Sequence, residues 1–264
     1  MRLFLIGFVL CIVGCGEKPA APVLDRHRLT QVSIINALMV GRYDGITPLS
    51  ELLKHGDFGL GTCDHLDGEM IVLDGKAYKI TSEGKVVELP GTETTPFAVV
   101  TPFDAQVKRE LPAVGSLEEL DARLDGLLTD PDLFYAIRIE GEFDALTVRS
   151  VARQNPPYKP LPEVAASQRV WQYEKVRGTL LGFRSPKWTS GLTVPGYHWH
   201  FLADDRTRGG HVLDCEFAAA TLAYDRCESW TILLNPTMAV DGADLSTDRS
   251  KALREVESKR GETK

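Results

Sequence analysis

The sequence predicts an α+β protein of mixed, mainly antiparallel β-sheets, arranged as two closely packed subdomains with few helices. Apolar runs with strand-like alternation outnumber helical stripes along the chain. Helices and strands are segregated and do not alternate in βαβ fashion. The dipeptide Asp74-Gly75 between two apolar runs is a strong hairpin signal. The 264 residues, 43% hydrophobic and 25% charged, suffice for one large or two modest domains.

Taken in order, residues 29–40 carry isoleucine, leucine and methionine at helical offsets and, with residues 48–53, read as a short helical or mixed opening. Residues 70–73 and 77–80 flank Asp74-Gly75 as a hairpin, and 98–103 is a further strand. Residues 116–128 form the clearest helix. Ser116 is its N-cap, Glu119 its capping-box partner, and Leu117, Leu120, Leu124, Leu127 and Leu128 make one stripe. Residues 134–143 and 145–151 read as a strand pair.

Four prolines between Asn155 and Pro162 interrupt regular structure and mark the expected boundary between subdomains 25–157 and 158–264. Beyond it the pattern predicts a helix over 164–173 and strands over 176–183, 196–203, 212–219 and 229–233. Gly59-Leu60-Gly61 lacks the later glycine and the helix that a nucleotide-binding loop requires.

Residues 1 to 14 stand apart from this body. They hold one early arginine and an apolar run too short to span a bilayer permanently. The run ends in Ile12-Val13-Gly14-Cys15, which resembles the lipobox of bacterial lipoproteins. That resemblance implies cleavage before Cys15, acylation of its thiol and a tether over 15–24. The plain alternative makes Cys15 one residue of a cleaved secretory signal. In either case the expectation is export. A lipid-anchored form would sit on the periplasmic face of a membrane, and no aspartate follows Cys15 to retain it in the inner one.

Loss of residues 1 to 14 takes the formal charge from −7 to −8, since they hold one arginine and no acid. An acidic body without a basic stripe argues against nucleic acid. Cys63, Cys215 and Cys227 cannot all pair; a Cys215–Cys227 bridge and three buried free thiols both remain open.

Half of the six histidines fall within fourteen positions: His198 and His200 in GYHWHF, and His211 in GGHVLD. Three neutral imidazoles can hold a divalent ion such as zinc while leaving a position open to substrate, which suggests an enzyme. The plain alternative is a set of hydrogen-bonding histidines. On a strand, Tyr197, Trp199 and Phe201 would face away from His198 and His200. DDRTRGG is turn chemistry. If Ala203 paired with His211, the third histidine would lie about 10 Å along from His200. The sequence therefore predicts an irregular hairpin.

Several segments together resemble the alpha-acetolactate decarboxylase family: GLGTCDHLDGEMIVLDGKAYKI, TPFAVVTPF, FYAIRIEGEFDALTVRSVARQNPPYKPL, VRGTLLGFRSP and VPGYHWHFLADDRTRGGHVLDCEF, in the family's order. The resemblance implies decarboxylation of 2-acetolactate to acetoin through a metal-stabilised enediolate, and a homodimer. It implies zinc on His198, His200 and His211, with Glu257 directed at the metal from the C-terminal tail. Glu69 matches a glutamate that contacts metal and substrate, Arg149 an arginine beside the metal, and Thr62 a hydroxyl residue at the pocket edge.

Each has a plain alternative. Glu69 could be a carboxylate at a strand end, Arg149 could bridge to Glu140 or Glu142, Thr62 could satisfy a local turn, and Glu257 could be solvated. Two other readings of the histidines are a cupin-like metal-dependent oxygenase or lyase for another small hydroxy-keto acid, and a non-catalytic metal-binding lipoprotein.

Overall fold

The computed structural model describes residues 27–234 and 243–258. The expected signal peptide, Cys15 and the whole tether over 15–24 lie outside the described residues. Among the described residues no helix is long and apolar enough to cross a membrane.

In chain order the elements are β1 (Arg28–Val32), α1 (Ile35–Met39), β2 (Thr47–Pro48), α2 (Leu49–Leu52), β3 (Phe58–Thr62), β4 (Glu69–Leu73), β5 (Lys76–Ile80), β6 (Val86–Glu88), β7 (Thr94–Thr95), β8 (Phe97–Thr101), β9 (Val107–Val114), α3 (Leu117–Asp125), β10 (Phe134–Ser150), α4 (Leu161–Ala165), β11 (Arg169–Ser185), β12 (Gly196–Ala203), β13 (Gly209–Cys227), β14 (Ser229–Leu233) and α5 (Ser250–Ser258). One sheet has the order β14-β1-β8-β3-β4-β5-β6, antiparallel except for the β1–β14 pair. The other has the order β10-β11-β12-β13-β9, and β10 also pairs with β13, which closes four strands on themselves.

The α+β expectation holds, and the sheets do not divide at 157/158. β9 and β10 belong with the later strands, while β14 returns to the first sheet. The proline-rich segment connects two neighbouring strands of one sheet.

Strand alternation sorts side chains into three apolar layers. Leu60, Ile71 and Val99 meet Leu181, Phe183 and Leu202 between the sheets, joined by Leu38, Leu161, Leu253 and Val256 from the helices. Ile139, Phe143, Leu180, Phe201 and Phe217 fill the closed sheet under Leu120 and Leu124 of α3. Val32, Met70, Val72 and Val100 turn the other way, onto Leu49 and Leu52 of α2. Since Ile71 and Leu73 face between the sheets, Glu69 does too.

The β4–β5 hairpin forms as its dipeptide predicts, with φ of 53° at Asp74 and 77° at Gly75, the pair of positive angles a type I′ turn needs. The α3 cap also forms: Ser116 Oγ accepts from Glu119 N at 3.1 Å, while Glu119 Oε2 accepts from Gly115 N at 2.9 Å, one residue earlier than in a standard capping box. Such a cap is worth about 1 kcal/mol.

The opening is mixed: residues 28–32 are claimed by ladders to β8 and β14, and the short helices α1 and α2 follow. Two expectations fail. Residues 134–150 are one strand and not a pair; it bends at Asp144 opposite Lys175, whose φ is 48°, and the inward face changes parity there. The helix expected over 164–173 stops at Ala165, since residues 169–173 pair with β10. Cys63, Cys215 and Cys227 are buried free thiols, so the Cys215–Cys227 bridge is absent.

Candidate metal centre

His198 and His200 share one face of β12, while Trp199 and Phe201, 2% and 0% exposed, pack inside the closed sheet with Tyr197 against the same cluster. Gly182 makes room for the indole: a Cβ there would lie 2.3 Å from Trp199 Cε3. The aromatic alternation seen in GYHWHF is thus the lock that aims both imidazoles at the space between the sheets.

The expected irregular hairpin is not found. Ala203 N donates to Arg208 O at 2.9 Å, and His200 stands directly opposite His211. A pairing of Ala203 with His211, the premise behind that expectation, makes the loop too long. The irregularity lies on the other edge of β13, where the pairing with β10 shifts between Thr147–Asp214 and Val148–Val212. Leu213 is the extra residue of this bulge. It sets Arg149 opposite His211; without the shift Arg149 would oppose Val212, whose side chain points into the closed sheet. His200, His211 and Arg149 therefore form one row across β12, β13 and β10.

Ligand atoms of the three histidines lie within 4.8 Å of one another. His200 Nδ1 sits 2.9 Å from Met70 O. A proton on that nitrogen leaves the Nε2 lone pair free to bind an ion. His200 Nε2 is 3.5 Å from Glu69 Oε2. On the other side, Glu257 Oε2 lies 3.7 Å from His198 Nε2 and 3.6 Å from His211 Nε2. His200 Nε2, His211 Nδ1 and Glu257 Oε2 are buried without a hydrogen-bond partner in the described structure. Orphaned acceptors of this kind fit a cation. The donor set of imidazoles and a carboxylate, without thiolate, suits zinc and leaves its charge largely uncancelled.

Burial holds the imidazoles neutral. The His198 pKa is pushed down to about 3 by desolvation, reinforced by Arg149. His200 and His211 are held well below the usual histidine range by the same burial, reinforced by His198 and Arg149. Desolvation pushes Glu69 up to about 7 against the pull of Arg149, and it raises Glu257 to about 7 in the same way. A bound cation would favour the ionised form of both carboxylates.

Arg149 Nη1 donates to Glu69 Oε1 at 2.7 Å, and Nη2 is 4.0 Å from Glu257 Oε1. It does not bridge to Glu140, whose carboxylate accepts from Arg138. Thr62 pairs with Glu69 at the mouth of the β3–β4 hairpin; its hydroxyl donates to Gly68 O at 2.7 Å, so it serves the turn, and it lines the cavity as well. Glu257 reaches the site because Leu253 and Val256 seat α5 in the layer between the sheets. Thr62, Glu69, Arg149, His198 and Glu257 line one small cavity.

The apolar part of that cavity, including Leu38, Leu66, Phe97 and Leu161, was not read as functional from the sequence. Apolar residues give no local sign of which cavity they will wall. The Met70 carbonyl that orients His200 was equally invisible, although its place after Glu69 in a strand facing the histidines could have suggested it. A second group of close ligand atoms, Asp44, Asp64 and His65, was also missed.

The model of the alpha-acetolactate decarboxylase family matches residues 29–247. The alpha-acetolactate decarboxylase of Methylococcus capsulatus is 44% identical over 234 residues, 89% of this chain and 90% of that protein. That of Methanosarcina mazei is 43% identical over 229 residues, covering 87% and 80%. The crystal structure of alpha-acetolactate decarboxylase from Bacillus subtilis strain 168 superposes with a TM-score of 0.83 at 34% identity, covering 88% of this chain and 99% of that one. The chain belongs to the alpha-acetolactate decarboxylase family.

Proposed function

We propose that the protein decarboxylates 2-acetolactate to acetoin and carbon dioxide, with zinc held by His198, His200, His211 and Glu257. The observation that carries this reading is the convergence of three neutral imidazoles on a buried Glu69–Arg149 pair. Zinc bound there would supply Lewis-acid stabilisation of the negative charge that decarboxylation places on the substrate oxygens.

The remaining chemistry belongs to the chain. Arg149 Nε is buried without a hydrogen-bond partner in the described structure, and Nη2 has only the distant Glu257 carboxylate. A planar guanidinium with donors to spare orients a carboxylate by paired hydrogen bonds. Carbon dioxide is uncharged, so that contact weakens as the C–C bond breaks, and Arg149 contributes orientation more than transition-state charge. Glu69 is the candidate proton donor. Loss of carbon dioxide leaves an enediolate, whose former carboxyl-bearing carbon takes one proton to become acetoin. Burial favours the acid form that can give this proton, while Arg149 and a cation oppose it. Thr62, whose own proton is committed to Gly68 O, can only accept from a substrate hydroxyl. Leu38, Leu66 and Phe97 line the same cavity, where they would face the substrate methyls and keep water from the enediolate.

The test uses protein lacking residues 1 to 15, loaded with zinc and given racemic acetolactate, against a chelated control and His198→Ala. Metal-dependent acetoin is expected. Formation no faster than spontaneous breakdown overturns the activity; equal rates in His198→Ala overturn the ligand assignment.

The lipobox-like Ile12-Val13-Gly14-Cys15 supports export and anchoring through Cys15, measured by incorporation of labelled fatty acid that Cys15→Ser abolishes. Family membership supports a homodimer, measured by light scattering.

A further inference from the structure

Thr62 and Glu69 close a hairpin whose connection, residues 63–68, has two consecutive non-glycine residues in the left-handed region: His65 at φ 60° and Leu66 at φ 56°. Histidine tolerates this conformation better than most residues, whereas leucine does so only when its surroundings enforce it. The surroundings here are specific. His65 N donates to Tyr43 O at 2.7 Å, and Gln154 N donates to His65 O at 2.8 Å. Its ring Nδ1 meets the Tyr158 hydroxyl, which donates to Asp44 Oδ1 at 2.5 Å, and Nε2 lies 3.1 Å from Asp64 Oδ2.

Three segments are thereby tied at one residue, through its main-chain N and O and through its ring: the loop after α1, the β3–β4 turn, and the chain that leaves β10, reached at Gln154 by the main chain and at Tyr158 by the ring. One consequence is that Leu66, 2% exposed, walls the catalytic cavity. A second is that the register of β4 against β3 is pinned at the Thr62–Glu69 pair. A slip of one residue would turn Glu69 away from the histidines, because successive strand residues face opposite sides.

We propose that His65 is a positioning residue for the Glu69–Arg149 pair, acting through the turn it clamps and through Tyr158. It neither lines the cavity nor belongs to the cluster of His198, His200 and His211. The inference rests on the decarboxylase reading for its kinetic test, but not for its structural one.

The experiment compares zinc-loaded wild type with His65→Asn, which accepts the left-handed region and keeps a hydrogen-bonding side chain, with His65→Val, which does neither, and with Tyr158→Phe. Expected are a fall in kcat of about tenfold to a hundredfold for His65→Val, a smaller fall for Tyr158→Phe, and a value within about threefold of wild type for His65→Asn. KM should change less than kcat, and bound zinc should stay at the wild-type ratio, because the histidines lie on other strands. Wild-type kcat in His65→Val overturns the proposal, as does loss of zinc in step with activity, which marks general unfolding. If the wild type itself makes no acetoin, the functional reading fails and amide hydrogen exchange decides the positioning role. Exchange at Glu69 and Met70 at least tenfold faster in His65→Val supports it, and unchanged exchange overturns it.

Discussion

Arg149 Nη1 and Glu69 Oε1 meet at 2.7 Å across the seam between the two sheets, joining residues 80 positions apart with side chains only 7% and 8% exposed. Removing one partner of such a pair leaves a buried charge uncompensated, at a cost of about 3–5 kcal/mol. Glu69→Gln avoids that cost in part, since its amide oxygen still accepts from Arg149, while it removes the transferable proton. We predict a fall in kcat of about 10²- to 10⁴-fold with zinc content and fold retained, measured by steady-state acetoin formation and metal analysis. A Glu69→Gln enzyme with wild-type kcat would remove Glu69 from proton transfer.

Arg149→Lys separates geometry from charge. Lysine keeps the positive charge but replaces a planar fork by a point donor that cannot hold Glu69 and a substrate carboxylate together. The expected result is a rise in KM together with a fall in kcat of at least tenfold, read from full saturation curves. Unchanged kinetics would mean that charge alone suffices at this position.

Much of this site was legible because its signals are local. The dyad alternation of GYHWHF places imidazoles and aromatics on opposite faces of β12 whatever the rest of the chain does. Asp74-Gly75 closes its hairpin by backbone angles alone. The extra residue at Leu213 is different in kind, because it exists only relative to β10, sixty-odd residues upstream. Residues 169–173 show the same limit, since pairing with β10 overrides a pattern that reads as helix. β3 escaped notice because FGLGT, with two glycines, has weak strand propensity and is held by neighbours on both sides.

Glu257 tests how much α5 would contribute to holding zinc. The helix is seated by Leu253 and Val256, 4% and 3% exposed, so its grip on the site is thin. Glu257→Ala is expected to weaken zinc retention at least tenfold in dialysis against a competing chelator. Leu253→Ala should move retention in the same direction by undocking the helix, since truncating a buried leucine costs about 2–5 kcal/mol. Zinc retention unaffected by Leu253→Ala would show that the carboxylate is held in place without the helix.

A carboxyl outside the candidate metal centre makes stability depend on pH. Asp121 on α3 accepts from Trp199 Nε1 at 2.9 Å, and its pKa is pushed up to about 7, chiefly by burial, with Asp125 adding to the effect and the Trp199 bond opposing it. A carboxyl whose pKa is higher in the folded than in the unfolded state binds more protons when folded. It therefore destabilises the fold as pH rises from about 4 to about 7, by an amount that is absent below this window and constant above it. Asp121→Asn preserves the shape and the acceptor oxygen but cannot ionise. Because Asp121 is partly exposed, the benefit should be well below what the full shift implies, on the order of 1–2 kcal/mol or roughly 2–8 °C in Tm at pH 8. It should vanish at pH 4. Thermal unfolding of both proteins across this range, with zinc saturating, measures it; a Tm difference that does not vary with pH would show that Asp121 is already ionised throughout.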